Sequence, residues 1–217
     1  MKLLILGATG RTGKYLVQES LSRGHVVHAL VREKSKIEET NANLHLFQGS
    51  PLDADRLAEA MSGCDAVLSV LNISRVSDFP WARLRTPDHF LSEAMQKVIE
   101  VAHRQNITRV VVCTAWGVHE TINDIPWWFR WLIRSSNIGV TYKDHERQED
   151  LLMHSDLDWT IVRPVGLTNS TQIKEITLSI NNNPKPGLTI SRLQVAGFML
   201  TATEDHTYLN LSPAISG

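Results

Sequence analysis

Cysteine is scarce: the 217 residues hold two, Cys64 and Cys113, far apart and each in or beside an apolar stretch. That usage reads as reduced, structural thiols of a cytosolic protein and lends no support to a disulfide framework or a metal site. Excess charge is also missing, since 22 Lys and Arg face 23 Asp and Glu for a formal net charge of −1. No basic face argues for nucleic acid. No hydrophobic run is long enough to cross a membrane, and one lysine ahead of a short apolar strand does not make a signal peptide. Internal repeats and low-complexity linkers are absent as well. The expectation is one domain over residues 1–217, cytoplasmic, monomeric or homodimeric, with neither nucleic acid nor membrane as partner.

What is present begins at residue 7. Gly7-Ala8-Thr9-Gly10-Arg11-Thr12-Gly13 follows the apolar run Leu3-Leu4-Ile5-Leu6 and precedes a helical pattern. A buried strand, a glycine turn and a helix N-terminus in that order make a pyrophosphate cradle. Glycines let the backbone turn tightly and approach a ligand, and the helix start offers unpaired N–H donors at the positive end of its dipole. The spacing G-x-x-G-x-x-G departs from the G-x-G-x-x-G fingerprint, so its placement between strand and helix carries the reading.

Apolar runs suited to buried parallel strands lie at residues 2–6, 26–31, 44–47, 66–71, 109–113 and 160–162. Between them, Leu16, Val17, Ser20 and Leu21 recur at helical spacing and Gly24 ends that helix; residues 53–61 and 90–103 are further helices. The alternation predicts an α/β fold: a Rossmann-like, doubly wound parallel sheet with helices on both faces. A short C-terminal strand–helix–strand extension follows, with a strand at 175–180, a loop through Asn181–Gly187, a helix opened by Ser191, and a last strand at 208–211.

The end of the second strand distinguishes the nicotinamide cofactors. An acidic side chain there accepts from the ribose 2′-hydroxyl, and a cation pairs with a 2′-phosphate. Arg32 comes first, with Lys34 and Lys36 behind it and Arg11 in the glycine turn, a pattern that points to NADP(H). Glu33 supports two competing readings: an NAD site, or a solvated charged loop.

The glycine turn, Val31-Arg32, Val110-Val111-Val112-Cys113-Thr114 and Asp158-Trp159-Thr160-Ile161-Val162-Arg163-Pro164 together resemble the atypical short-chain dehydrogenase/reductase superfamily. The likeness falls in its NAD(P)H-binding, NmrA-like single-domain branch, nearest the flavin reductase/biliverdin IXβ reductase group. It extends to Ser92-Glu93-Ala94, Asp144-His145 and Ile190-Ser191-Arg192. The resemblance implies that Gly7, Thr9, Gly10, Arg11 and Thr12 hold the pyrophosphate and that Arg32 with Lys36 holds the 2′-phosphate. It puts Leu71 and Asn72 beside a ribose, Thr114 near the nicotinamide, and Pro164, Val165 and Gly166 along the nicotinamide ring. Two departures are Ser50, where many relatives carry aspartate, and Ala115, where the flavin reductase group carries serine.

The Tyr-x-x-x-Lys pair of many short-chain dehydrogenases is not found at Tyr142, which is followed four residues later by Glu146. At helical spacing Tyr142, His145 and Glu149 share a face, and His145 matches the histidine of the flavin reductase group. A carboxylate four residues on would orient the imidazole and raise its pKa; the alternative is a solvated, charge-laced helix. Weak acid–base equipment favours acceptors that spread charge over a π-system, because hydride positioning then suffices and water supplies the proton. Trp116, Trp127 and Trp128 sit in segments expected above the nicotinamide as an acceptor pocket, or else form a packing helix, a dimer contact or, last in order, a membrane-surface patch. The function expected is an NADPH-dependent reductase of a planar conjugated small molecule, with His145, Thr114 and Tyr142 as candidate catalytic groups and no metal. The alternative is an NmrA-like NADP(H)-binding redox sensor without turnover.

Overall fold

The computed structural model describes residues 1–37 and 39–217. Its first half alternates β1 (Lys2–Leu6), α1 (Arg11–Ser22), β2 (Val26–Val31), β3 (Leu44–Gln48), α2 (Ala54–Met61), β4 (Ala66–Ser69), α3 (Phe90–Gln105) and β5 (Arg109–Cys113). The second half contains α4 (Trp127–Ser135), α5 (Ile138–Met153), β6 (Asp158–Pro164), β7 (Gly166–Thr168), β8 (Thr177–Ser179), β9 (Thr189–Ser191), α6 (Arg192–Glu204) and β10 (Ala214–Ser216). Eight strands form one sheet in the order β3-β2-β1-β4-β5-β6-β10-β8, parallel except for β8, which runs against β10. β7 and β9 make a separate parallel pair.

Strands buried on both faces read as unbroken apolar runs, and their alternate residues feed two cores. Leu3, Ile5, Val111 and Val162 pack toward Leu16 of α1 and Met199 of α6. Leu4, Val110, Val112 and Ile161 pack toward Leu57 of α2, Val98 of α3 and Leu152 of α5. Full burial of each such side chain is worth about 1.5–3 kcal/mol. The strand order reverses between β1 and β4, and that switch point puts a crevice at the carboxyl ends of these strands.

Local chemistry accounts for most element ends. Asp53 caps α2 through its carboxylate, which accepts from the amides of Asp55 and Arg56. Ser191 caps α6 by accepting from Gln194 N. Gly24, with φ +79°, stops α1. Asn106, at φ 56°, closes α3 two residues beyond the expected 103.

Two expectations change in the C-terminal region. The strand anticipated at 208–211 does not form, because Tyr208 and Asn210 take left-handed φ values of 57° and 56°. Leu211 makes only an isolated bridge to Thr160, and the closing strand is β10. The strand anticipated at 175–180 is confined to β8. Farther up the chain, β4 ends at Ser69 rather than residue 71, where Val70 meets the glycine turn.

A buried guanidinium binds this region to the centre of the sheet. Arg109 donates to the carbonyls of Asp158 (2.9 Å), Ala202 (2.7 Å) and Thr207 (3.2 Å). With no carboxylate bonded to it, burial brings its pKa down to about 10.

The turn after β1 tolerates no side chain where it packs. A Cβ added at Gly13 would stand 2.1 Å from the Gly7 carbonyl oxygen, whereas one at Gly24 meets nothing within 4 Å. Gly13→Ala is expected to destabilise the protein by about 2–3 kcal/mol through forced backbone displacement. Gly24→Ala is expected to cost only about 1 kcal/mol from its left-handed backbone. Urea unfolding midpoints check the contrast, and equal losses would refute it.

Candidate cofactor site and the buried network beneath it

The glycine turn is built by close backbone approach. Gly7 takes φ +87°, and a Cβ there would lie 2.8 Å from Val70 O at the end of β4. Gly10 N donates to Gly7 O at 2.9 Å, and Gly10 precedes α1 in an extended conformation. No side chain caps α1 and no acid occupies its first turn. The helix therefore presents its opening amides and positive dipole end at the switch point, where an anionic group is favoured. Thr9, Arg11 and Thr12 flank those amides. The Arg11 guanidinium meets both oxygens of Asp78, at 3.0 and 2.9 Å, across an exposed surface.

Beyond β2, Arg32, Lys34 and Lys36 are exposed. Glu33 turns toward Lys36, with a 3.1 Å ion pair. A cavity of about 440 Å³ lined by Lys34, Leu46, Phe47, Gln48, Arg56 and Glu59 lies where β2 and β3 end, with Arg56 paired to Glu59 at 2.9 Å. Leu71 and Asn72 follow β4, with Asn72 exposed; Pro164 at the end of β6 and Val165 just beyond it are buried, and Gly166 is exposed. Gly166 N donates to Leu188 O at 3.1 Å, which ties the β6 exit to β9. The donor set suits a dinucleotide: a side-chain-free cradle for a pyrophosphate and, one strand away, cations for a further phosphate.

Under the carboxyl end of β5 lies a buried ion pair absent from the sequence-based reading. Arg163 on β6 and Glu149 on α5 are both inaccessible to solvent. Arg163 donates from Nη2 to Glu149 Oε2 at 2.7 Å and from Nε to Oε1 at 3.2 Å. Its Nη1 also reaches the Glu120 carboxylate. The Thr114 hydroxyl donates to Glu149 Oε1 at 2.6 Å. Glu120 is held below its ordinary pKa by the Arg163 hydrogen bond and charge, against the opposing pull of desolvation. The signal was available in the sequence: an arginine inside the apolar strand segment Ile161-Val162-Arg163-Pro164 needs a buried counter-charge.

Structure and expectation diverge on α5. Glu149 does not orient His145; it is bonded to Arg163 and Thr114, and His145 Nδ1 pairs with Gln148 Oε1 at 3.1 Å. Burial lowers the His145 pKa, outweighing the Gln148 hydrogen bond and the Glu149 and Asp144 charges that push it up. Nor is this helix face solvated, for Asp144, His145, Gln148 and Glu149 are all buried. The Tyr142 hydroxyl donates to the Trp116 carbonyl at 3.2 Å, and burial raises its pKa. Asp144 supplies a structural role that spacing did not disclose. Its carboxylate accepts from Leu91 N (2.7 Å), Ser92 N (3.4 Å) and Ser92 Oγ (2.6 Å), capping α3 from the neighbouring helix.

The three tryptophans expected to line one pocket occupy different environments: Trp116 is buried, while Trp127 and Trp128 stand exposed on α4. Burial pushes the Cys113 thiol up to about 12, as expected of strand filler rather than a nucleophile. Among the described residues no group of three or more His, Cys, Asp or Glu is placed to hold a metal.

A 3-2-1-4-5-6 parallel sheet with an uncapped glycine turn at its switch point defines a Rossmann-like nucleotide-binding protein. The model of the NAD(P)H-binding family matches residues 7–206, and the chain belongs to that family. It is 28% identical over 216 residues to an oxidoreductase of Pestalotiopsis microspora, covering 93% of this chain and 79% of the relative. An oxidoreductase of Aspergillus fumigatus is 27% identical, with 94% and 79% covered. Among solved structures, an anaerobillin reductase from Escherichia coli O157:H7 superposes with a TM-score of 0.81 at 18% identity, covering 100% of this chain and 97% of that one. A short-chain dehydrogenase/reductase from Veillonella parvula DSM 2008, in complex with NADP, gives 0.74 at 18% identity, with 100% and 94% covered. These two likenesses establish the fold.

The network makes two measurable demands. Glu149→Ala leaves the buried guanidinium with the Glu120 carboxylate alone and is expected to destabilise the protein by about 3–5 kcal/mol, whereas Thr114→Val removes one hydrogen bond and about 1–2 kcal/mol. Chemical denaturation distinguishes these losses. Burial also lowers the pKa values of His28 and His145, so the folded chain resists protonation that the unfolded chain accepts. Stability is therefore expected to fall as pH drops through about 6.5, read from urea midpoints between about pH 8 and pH 5. Midpoints independent of pH would remove the assignment.

Proposed function

We propose that this protein is an NADPH-dependent reductase that passes hydride to a planar, conjugated acceptor such as a flavin, a quinone or a tetrapyrrole. The observation that carries the reaction type is the engagement of the three proton donors that the sequence singles out. Tyr142 donates to a backbone carbonyl, Thr114 donates to Glu149, and His145 is buried with a lowered pKa. A simple ketone would leave an alkoxide with no proton held ready for it. An extended π-system spreads the arriving charge and takes its proton from water.

In this reading the amides of the glycine turn, with Thr9, Arg11 and Thr12, bind the pyrophosphate. Arg32 and Lys36 take the 2′-phosphate, which is the argument for NADPH over NADH. Leu71 and Asn72 border a ribose, while Pro164, Val165 and Gly166 present one face of the nicotinamide ring. Bound there, NADPH supplies a hydride from C4. Thr114, whose proton is committed to Glu149, offers lone pairs and therefore orients a donor group rather than protonating the acceptor. Relatives named oxidoreductases support reduction as the class of reaction.

The same engaged donors also favour a second reading, an NmrA-like sensor that binds NADP(H) without turnover. Stopped-flow loss of NADPH absorbance with flavin and a quinone series decides between them. Turnover is expected with at least one planar acceptor, and its absence with all of them, despite tight NADPH binding, would leave the sensor. Arg32→Ala is expected to weaken NADPH binding by about tenfold or more, with little effect on NADH. Equal losses for both cofactors would remove the 2′-phosphate role.

A further inference from the structure

The reductase reading does not absorb the aromatic surface around α4. Ile133 anchors this helix in the core, yet Trp127, Trp131 and Trp128 are 80%, 60% and 52% exposed. Phe79 and Trp81, on the segment between β4 and α3, add aromatic surface at 62% and 44% exposure, with their ring centroids 5.3 Å apart. The two segments form one surface: Trp81 Nε1 donates to Ser135 O at 2.7 Å, and Asn137 Nδ2 donates to Trp81 O and Ala82 O at 3.1 Å each. Four of the six tryptophans thus lie outward on one patch, although burying an indole is among the largest apolar gains a chain can make.

Charge on these segments is one-sided. Residues 79–87 and 125–143 together carry Arg83, Arg85, Arg130, Arg134 and Lys143 and no Asp or Glu, in a chain whose net charge is −1. Arg83, Arg85 and Arg134 are exposed. Besides the buried Asp144, three acids border these segments, Asp78, Asp88 and Asp124; Asp78 is paired with Arg11, and five cations against three acids leave the face net basic.

We propose that this face docks the protein on an anionic lipid bilayer. Indoles partition into the headgroup layer, where their apolar body is buried and their N–H stays wet, and arginines pair with lipid phosphates. A second copy is a poorer occupant, since a two-fold contact would bring the same arginines against each other. No helix among the described residues is long and apolar enough to cross a membrane, so the contact is with the bilayer surface. The proposal departs from the expectation of no membrane partner. Because Asp78 joins this segment to Arg11 of the glycine turn, docking sets the cofactor edge of the sheet beside the lipid.

The test is cosedimentation of the whole protein with vesicles of phosphatidylcholine alone or of equal parts phosphatidylcholine and phosphatidylglycerol, with tryptophan emission followed in parallel. Binding to the anionic vesicles, a blue shift and release by salt are expected. The double variants Trp127→Ser/Trp131→Ser and Arg83→Gln/Arg85→Gln are each expected to weaken binding at least about tenfold. Their circular dichroism and urea midpoints should match the parent, because all four side chains are exposed. Failure of the parent to sediment with anionic vesicles at low salt would overturn the proposal, as would equal binding by the variants. Sedimentation velocity supplies a further overturning result: a dimer abolished by the tryptophan variant, without vesicle binding, would make a second copy the occupant.

Discussion

The bond between Arg163 and Glu149 constrains more of this molecule than any other single contact. A guanidinium in the middle of a buried strand is tenable only with a carboxylate in matching geometry, and α5 must lie where it does to deliver one. The pair fixes the register of α5 against β6. It also draws in Glu120 from the loop after β5 and settles the direction of the Thr114 proton. Hydrophobic residues of similar shape would hold helix to strand as firmly, but they would leave the Thr114 hydroxyl without that fixed direction.

Legibility in the sequence followed the range of the interactions involved. β1, the glycine turn and α1 were readable because strand burial, close backbone approach and helix start are all local, and the cap at Ser191 was readable for the same reason. Residues 208–211 alternate acceptably for a strand, yet left-handed backbone at Tyr208 and Asn210 ends that pattern, while Tyr208 stacks on Phe198 with centroids 5.3 Å apart. The spacing of His145 and Glu149 was read correctly as one helix face. What spacing could not supply was the partner on that face, because Arg163 competes for the carboxylate from another element. Asp144 shows the same limit, since the amides that donate to it lie 53 and 52 residues away.

The cofactor edge divides along similar lines. Cradle and cations come from short segments after β1 and β2, and the family match agrees with what those segments imply. Above them, the side chains at the end of β5 and on α5 are bonded inward: Thr114 to Glu149, Tyr142 to the Trp116 carbonyl and His145 to Gln148. Those partners come from other elements or from the helix interior, beyond the reach of a local motif.

Arg109 has a consequence for how the chain reaches its native state. Two of its three acceptors lie 93 and 98 residues further along, at Ala202 and Thr207. Until that stretch docks, the buried guanidinium keeps only the Asp158 carbonyl, and water must meet its remaining donors. The central strands therefore gain their final cohesion only together with α6 and the turn that follows it.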